Sequence, residues 1–288
     1  MGFFAEVSQW LNTLLAGYIG STAATVAAVL EPAVIALATV YVIGWGTLHL
    51  TGQIEEPFTD GLSRIARVAL VVGVGLKLWL YNTLLVDTFF NAPGQLAARV
   101  IGAPDSVTIV DQIIFTGGDA ATALMQKGGI LDGNLSFYLA GFFVYIAVGV
   151  AAIYTIFLLS LAKVALSVLL ALGPLFIASL LFKAVRRFFD AWIAQLANYA
   201  LIAVLVTLVV ALLMRLLTVT AAQAAALGTG IGIADAVRVC FAAALIFLVL
   251  RQVMPIASGL AGGLALTTHN AVSRSGLWAA HRLVGHRH

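Results

Sequence analysis

Polar residues are sparse along this chain, and they fall in clusters that divide it. From Ser136 to Phe182 the only charge is Lys163, and the run then ends in a basic stretch, Lys183 to Trp192, that includes Arg186 and Arg187. An apolar run of about 20 residues suffices to cross a bilayer, so this pattern predicts membrane helices. Other apolar runs start at Glu31-Pro32 and reach about Leu50, or start near Leu62 and pass through Lys77 to about Phe90. Two more extend from Ile193 to Leu217 and from Val237 to about Ile256. Phe3, Val7, Trp10, Leu14 and Tyr18 recur at three-to-four spacing opposite Gln9, Asn12 and Thr13, which predicts an amphipathic helix on a membrane face or a partner. The expected class is all-α, a polytopic helical membrane protein with five transmembrane helices, six being the alternative.

Breakers mark the boundaries. Thr51-Gly52, Glu55-Glu56 and Pro57 predict a turn. Asn91 to Asn134 holds Pro93, Pro104, Gly117-Gly118, Gly128-Gly129 and Asp132-Gly133, and reads as one long loop in which Asp119 caps a short helix from Ala120 to Gln126. Gly173-Pro174 interrupts the longest apolar run. The resulting organisation is an amphipathic segment at 1–30, helices 1 and 2 at 31–90, a central loop at 91–135 and a long apolar region with a Gly-Pro break at 136–182. A basic linker at 183–192, the last two helices at 193–256 and a basic tail at 257–288 complete it.

Charge gives these segments a direction, because Lys and Arg are retained on the cytoplasmic side of membrane helices. Arg64 and Arg67 put the start of the second span inside. The central loop carries Arg99 and Lys127 against Asp105, Asp111, Asp119 and Asp132, which puts it outside. Lys183, Arg186 and Arg187 bring the linker inside, and so do Arg274, Arg282 and Arg287 in a tail with no acid after Asp235. No Lys or Arg precedes Arg64, so the basic n-region of a signal peptide is missing and the N-terminus is expected outside. Ser136 to Ala162 then crosses once, and Val164 to Phe182 is a broken or bundle-buried helix. A second crossing there gives the six-span alternative and strands the basic cluster outside.

Composition agrees: 62% of residues are hydrophobic and 9% charged, with a mean hydropathy of +1.08. The net charge of +3 carries no nucleic-acid signal, since the basic residues sit mostly at span ends, where anionic lipid accounts for them. Cys240 stands alone, which excludes intramolecular disulfides and cysteine metal clusters. No HExxH, P-loop or GxSxG pattern occurs, and Gly230 to Asp235 reads as an outer turn. No enzymatic activity, metal or cofactor is expected.

Three intramembrane polar residues are candidates for function. Lys77 lies about 15 Å into a ~30 Å hydrocarbon core if the helix is straight from Arg67, a depth where an ionisable group faces a bundle interior, a partner or water. Its bland alternative is a lysine that snorkels or pairs with Asp87. Gln195 and Asn198 share a helix face, and such amides more often bind neighbouring helices than substrate.

The stretch Leu170 to Trp192, with Gly173-Pro174, Phe182, Arg186-Arg187, Phe188-Phe189 and Trp192, resembles the TrbL/VirB family. These are polytopic inner-membrane subunits of bacterial type IV secretion systems, the sixth product of the VirB set. The resemblance implies a channel or assembly subunit that helps DNA or protein cross the inner membrane and supports pilus assembly. It implies a periplasmic N-terminus and central loop and a cytoplasmic C-terminus. Implied partners are pilin subunits, bitopic scaffold proteins, assembly ATPases, transported DNA or protein, membrane lipid and further copies in a homo-oligomer. Alternatives are a small-solute secondary transporter and a non-conducting scaffold.

Overall fold

The computed structural model describes the backbone of residues 2–52, 65–66, 68–102, 107–128, 134–182, 184–226 and 232–284. It describes their side chains except at 101, 213, 215–218, 220–226 and 263–284. Every regular element among the described residues is helical. Helix α1 covers Phe3–Leu50. A bent pair follows, α2 (Val68–Leu76) and α3 (Leu78–Val100), which meet at 85°. Then come α4 (Thr108–Lys127), α5 (Leu135–Ala171), the short α6 (Gly173–Ala178), α7 (Arg186–Ala226) and α8 (Ile233–Val284). Four of these, α1, α5, α7 and α8, are long and apolar enough to cross a membrane, and the bent pair taken as one span makes five.

The outer face carries many large apolar side chains, unlike that of a water-soluble protein. Helix α1 turns the stripe Ile19, Ala23, Ala27, Val34 and Ala38 inward and leaves Val29 and Val40 about three-quarters and two-thirds exposed. Phe143 and Ile153 on α5 and Phe241 on α8 are also mostly exposed. Large apolar side chains facing outward suit a solvent of lipid tails, and the alanines of the inward stripe let α1 approach its neighbours closely. In water such contiguous apolar faces would aggregate. This is a multi-pass membrane protein.

The chain forms two compact units. One comprises Met1–Gly17, Thr88–Ser167 and Tyr199–Pro255, the other Tyr18–Asp87, Val168–Asn198 and Ile256–His288. In the first unit α4 runs antiparallel along the first half of α5. A methyl on Gly117 would come within 2.6 Å of Val148, and one on Gly141 within 2.7 Å of the Ala121 carbonyl oxygen. Thr122 and Tyr145 share a hydroxyl hydrogen bond of 3.0 Å between the same two helices. Tyr154 of α5 meets Phe247 of α8 edge to face at 4.9 Å.

Four expectations about elements change. The stretch from 91 to 134 is mostly helical: α3 continues through it, and α4 starts eleven residues ahead of the expected cap at Asp119. Gly117 sits inside α4 because it admits Val148, so it marks close packing rather than a break, and Gly118 beside it faces Tyr145 at ordinary contact distance. Pro32 does not open the helix; α1 passes through it, with its buried stripe continuing on both sides. The backbone of α8 stays helical to Val284, well into the expected tail. Finally, the second span is not straight but bends at Lys77. The expected turn at Glu55 to Pro57, together with Arg64, Arg67 and Lys183, lies outside the described residues.

Candidate functional site

The break at Gly173-Pro174 begins with a missing donor. Proline has no N–H, so the carbonyl four residues earlier, on Leu170, loses its helical partner. Helix α5 ends at Ala171, Leu172 turns the chain (φ −91°, ψ 0°), and Pro174 falls in the first turn of α6, where no N–H is needed. The Leu172 N–H still reaches the Val168 carbonyl at 3.3 Å. The Leu169 and Leu170 carbonyls lose their helical donors, and two aromatic side chains answer them. The Trp192 Nε1–H donates to the Leu169 carbonyl at 2.9 Å, and the Tyr81 hydroxyl donates to the Leu170 carbonyl. Both rings are almost fully buried.

Gly173 is needed because any side chain there would collide with the Tyr81 phenol. Trp192 is stacked on Phe176 (5.7 Å between ring centroids, 13° between planes) and lies 5.6 Å from Phe189, so the indole is fixed before it donates. Gly75 of α2 completes the packing: a Cβ there would approach Ile177 of α6 at 3.0 Å. The motif residues Gly173, Pro174 and Trp192 thus form one object. Phe182 stands at its exit in extended conformation (φ −117°, ψ 127°), half-exposed, and Arg186 and Arg187 open α7 with both side chains exposed.

The polar candidates do not gather there. Lys77 sits at the corner between α2 and α3 in extended conformation (φ −94°, ψ 100°), with an exposed side chain. Its carbonyl accepts the Tyr81 N–H at 3.1 Å and so starts α3. The corner follows Gly73 and Gly75 among valines, residue types that weaken a helix; the depth counted along a straight helix therefore does not apply. Gln195 is exposed. Asn198, one turn further along α7, has a buried Oδ1 that meets no donor among the described residues. Lys77 makes no hydrogen bond to either amide among the described residues. No group of three or more His, Cys, Asp or Glu gathers among them as a metal site would require.

The profile of the TrbL/VirB6 plasmid conjugal transfer protein family matches residues 38–253, three-quarters of the chain, and takes in both breaks and the whole junction from Tyr81 to Trp192. The chain belongs to this family. Similar proteins include the type IV secretion system protein VirB6 of Bartonella quintana, 24% identical over 204 residues, covering 70% of this chain and 63% of the relative. The protein of that name from Brucella abortus biovar 1 is 24% identical over 267 residues, covering 88% of this chain and 74% of the relative. An uncharacterized protein of Rickettsia felis is 25% identical over 198 residues, only 20% of its own length. The chain therefore spans about 63% of the length of its Bartonella relatives. As a TrbL/VirB6 member it shares its family with the VirB6 proteins of type IV secretion systems.

Within this family member, sequence reading found the motif but missed the residues that hold it. Tyr81 lies 89 positions from its acceptor, and nothing in its own surroundings signals the bond. Asp111 was missed for the same reason. Its carboxylate accepts the N–H groups of Phe4 and Ala5, both at 3.1 Å, and so caps the start of α1 inside the first unit. A helix N-terminus carries unpaired donors and partial positive charge, which a carboxylate satisfies on both counts. The outward stripe Phe3, Trp10 and Leu14 is left exposed by this arrangement, as an interfacial or partner-facing helix requires. Lys163 is also tied down: its Nζ donates to the Phe90 carbonyl at 3.0 Å and lies 4.2 Å from the Phe90 ring centroid. Beside it, Ser8, Asn12, Ser160 and Thr207 line a cavity of about 70 Å³ within the first unit.

Proposed function

We propose that this TrbL/VirB6 protein passes DNA or protein across the bacterial inner membrane as a homo-oligomeric channel or assembly subunit, and that it supports pilus assembly. It works with pilin subunits, bitopic scaffold proteins and assembly ATPases. The observation that carries the reading is the family match over residues 38–253, which contains the packed Gly173–Trp192 junction. The N-terminus and the 91–135 segment face the periplasm, and 183–192 and the C-terminal region face the cytoplasm, following the opposite charge balance of those segments. A homo-oligomer is required because a helical bundle packs to native density and leaves no lumen wide enough for a polymer.

Lys77 is the residue we place toward that lumen. Its exposed ammonium, repeated once per subunit, makes a ring that attracts anionic substrate weakly enough to release it. Lys77→Met, which removes only the charge, lowers transfer at normal abundance, whereas Lys77→Arg retains most of it. Gln195 and Asn198 serve as contacts between subunits.

One observation bears on the transporter alternative. Solute carriers place paired broken helices around a polar site, and here α2 and α6, each beside a break, pack together. The polar groups at this meeting point are already spent on the Leu169 and Leu170 carbonyls. That leaves little with which to bind a solute and favours the secretion reading. The deciding experiment places photocrosslinking residues at positions 77 and 182 in actively secreting cells. Capture of substrate in transit is expected. Efficient secretion with no capture from any membrane position would instead make the protein a scaffold without a conduit.

A further inference from the structure

The second unit carries an apolar groove that the junction leaves open. One wall is α1 from Leu30 to Leu37, about 10 Å of helix. The other is the exit of the break, from Leu175 through Phe182 to Phe188. The space measures about 430 Å³, within the range of ligand clefts (about 300–1,000 Å³). Among the described residues Ser179 is the one polar side chain in the lining, and its hydroxyl is committed to the Phe176 carbonyl at 2.6 Å. The described lining is therefore apolar along its length and offers an occupant no uncommitted hydrogen-bonding side chain.

One end is different. Phe188 belongs to the lining, and the Arg187 guanidinium lies 5.4 Å from its ring centroid, with Arg186 exposed on the preceding residue. A trough that is apolar inside, with Arg187 at its rim and Arg186 exposed beside it in the sequence, is complementary to a molecule with a hydrocarbon body and an anionic head. Guanidinium groups recognise phosphate oxygens through paired N–H donors. A helix from a protein partner fits less well, since it is about 10–12 Å across and one wall of the groove is itself only about 10 Å long.

We propose that this groove binds one acyl chain of an anionic phospholipid whose phosphate is held by Arg186 and Arg187. Bulk lipid covers any outward apolar face, but this site retains a particular lipid class. A lipid bound there wedges between α1 and the chain leaving the Gly-Pro break, and so fixes the angle at which that chain departs. The proposal goes beyond the secretion reading and does not rest on it, because lipid retention is read on the purified chain without any transfer assay.

The test uses the full chain purified in mild detergent, with photoreactive phosphatidylglycerol and phosphatidylcholine as probes and peptide mapping of the labelled sites. Phosphatidylglycerol is expected to label Leu30–Leu37 and Leu175–Phe188 in preference to phosphatidylcholine. Arg186→Ala and Arg187→Ala, at exposed positions, each lower that preference about fivefold, the effect of removing one interfacial cation, and leave phosphatidylcholine labelling unchanged. Ala33→Trp, also exposed, fills the groove and lowers labelling by both lipids. Thermal melts of each variant show whether the fold is retained. Equal labelling by the two lipids, labelling indifferent to both arginine variants, or crosslinks from position 33 that capture a second copy or another protein in place of lipid would overturn the proposal.

Discussion

The two units answer the same problem in opposite ways. In the first, the exposed N–H groups at the start of α1 are met by a charged carboxylate, Asp111, reaching from α4. In the second, the exposed carbonyls at the end of α5 are met by neutral aromatic donors, Tyr81 and Trp192. A carboxylate can satisfy two donors from a part-buried site while keeping contact with water. The aromatic donors bring one N–H or O–H each and a large apolar body, so they can work where no charge is tolerated. The two solutions distinguish a helix end that lies deep in the protein from one near its surface. The Gly-Pro break is a buried junction held from two sides, whereas the Asp111 cap is a near-surface fastening.

The sharpest way to break this comparison is Trp192→Ala, which removes a fully buried ring together with its donor and should cost about 3–5 kcal/mol. Trp192→Phe keeps much of the stacking on Phe176 and leaves only the Leu169 carbonyl unmet, so about 1–3 kcal/mol is expected. Thermal or denaturant unfolding in nanodiscs measures both. If the two variants lose the same stability, the indole N–H carries the junction and the ring packing described here counts for little. The Asp111 cap should be worth less. Asp111→Ala is expected to cost about 0.5–2 kcal/mol, with local hydrogen exchange rising at Phe4 and Ala5 and the second unit unaffected. A global loss of protection would show that the cap is not the local fastening the contrast requires. The smallest effect belongs to Asn198→Leu. Within one subunit, removing an amide whose Oδ1 meets no donor among the described residues should leave stability unchanged or slightly raised, while the proposed contact between subunits is lost. An oligomer as stable as that of the wild type would show that Asn198 makes no such contact.

Much of this molecule was legible in its sequence because membrane crossing and helix breaking are local properties. The apolar run from Ser136 to Phe182, its interruption at Gly173-Pro174 and the family resemblance of Gly173 to Trp192 needed no knowledge of distant contacts. What failed were inferences in which a residue's neighbour decides its role. Gly117 and Gly118 look like loop residues until Val148 and Tyr145 are brought against them. Pro32 looks like a helix start until the buried stripe of α1 carries the helix through it. Lys77 looks like a buried charge on a straight helix, but the two glycines before it and the packing of Gly75 on Ile177 turn it into a corner. Tyr81 and Asp111 were invisible for the same reason, since each acts on a backbone group about a hundred residues away.

We propose that secretion uses the Gly-Pro break, in which Tyr81 replaces the hydrogen bond that Pro174 removes. Tyr81→Phe alone should destabilise the protein by about 1–3 kcal/mol, because it strands the Leu170 carbonyl. Adding Pro174→Ala returns an N–H in place of the lost hydroxyl. The measurement is substrate transfer by the Tyr81→Phe/Pro174→Ala double variant, taken beside its melting temperature and its abundance in the membrane. Recovered stability with transfer far below wild type is expected. Wild-type transfer from a double variant of normal stability and abundance would contradict it.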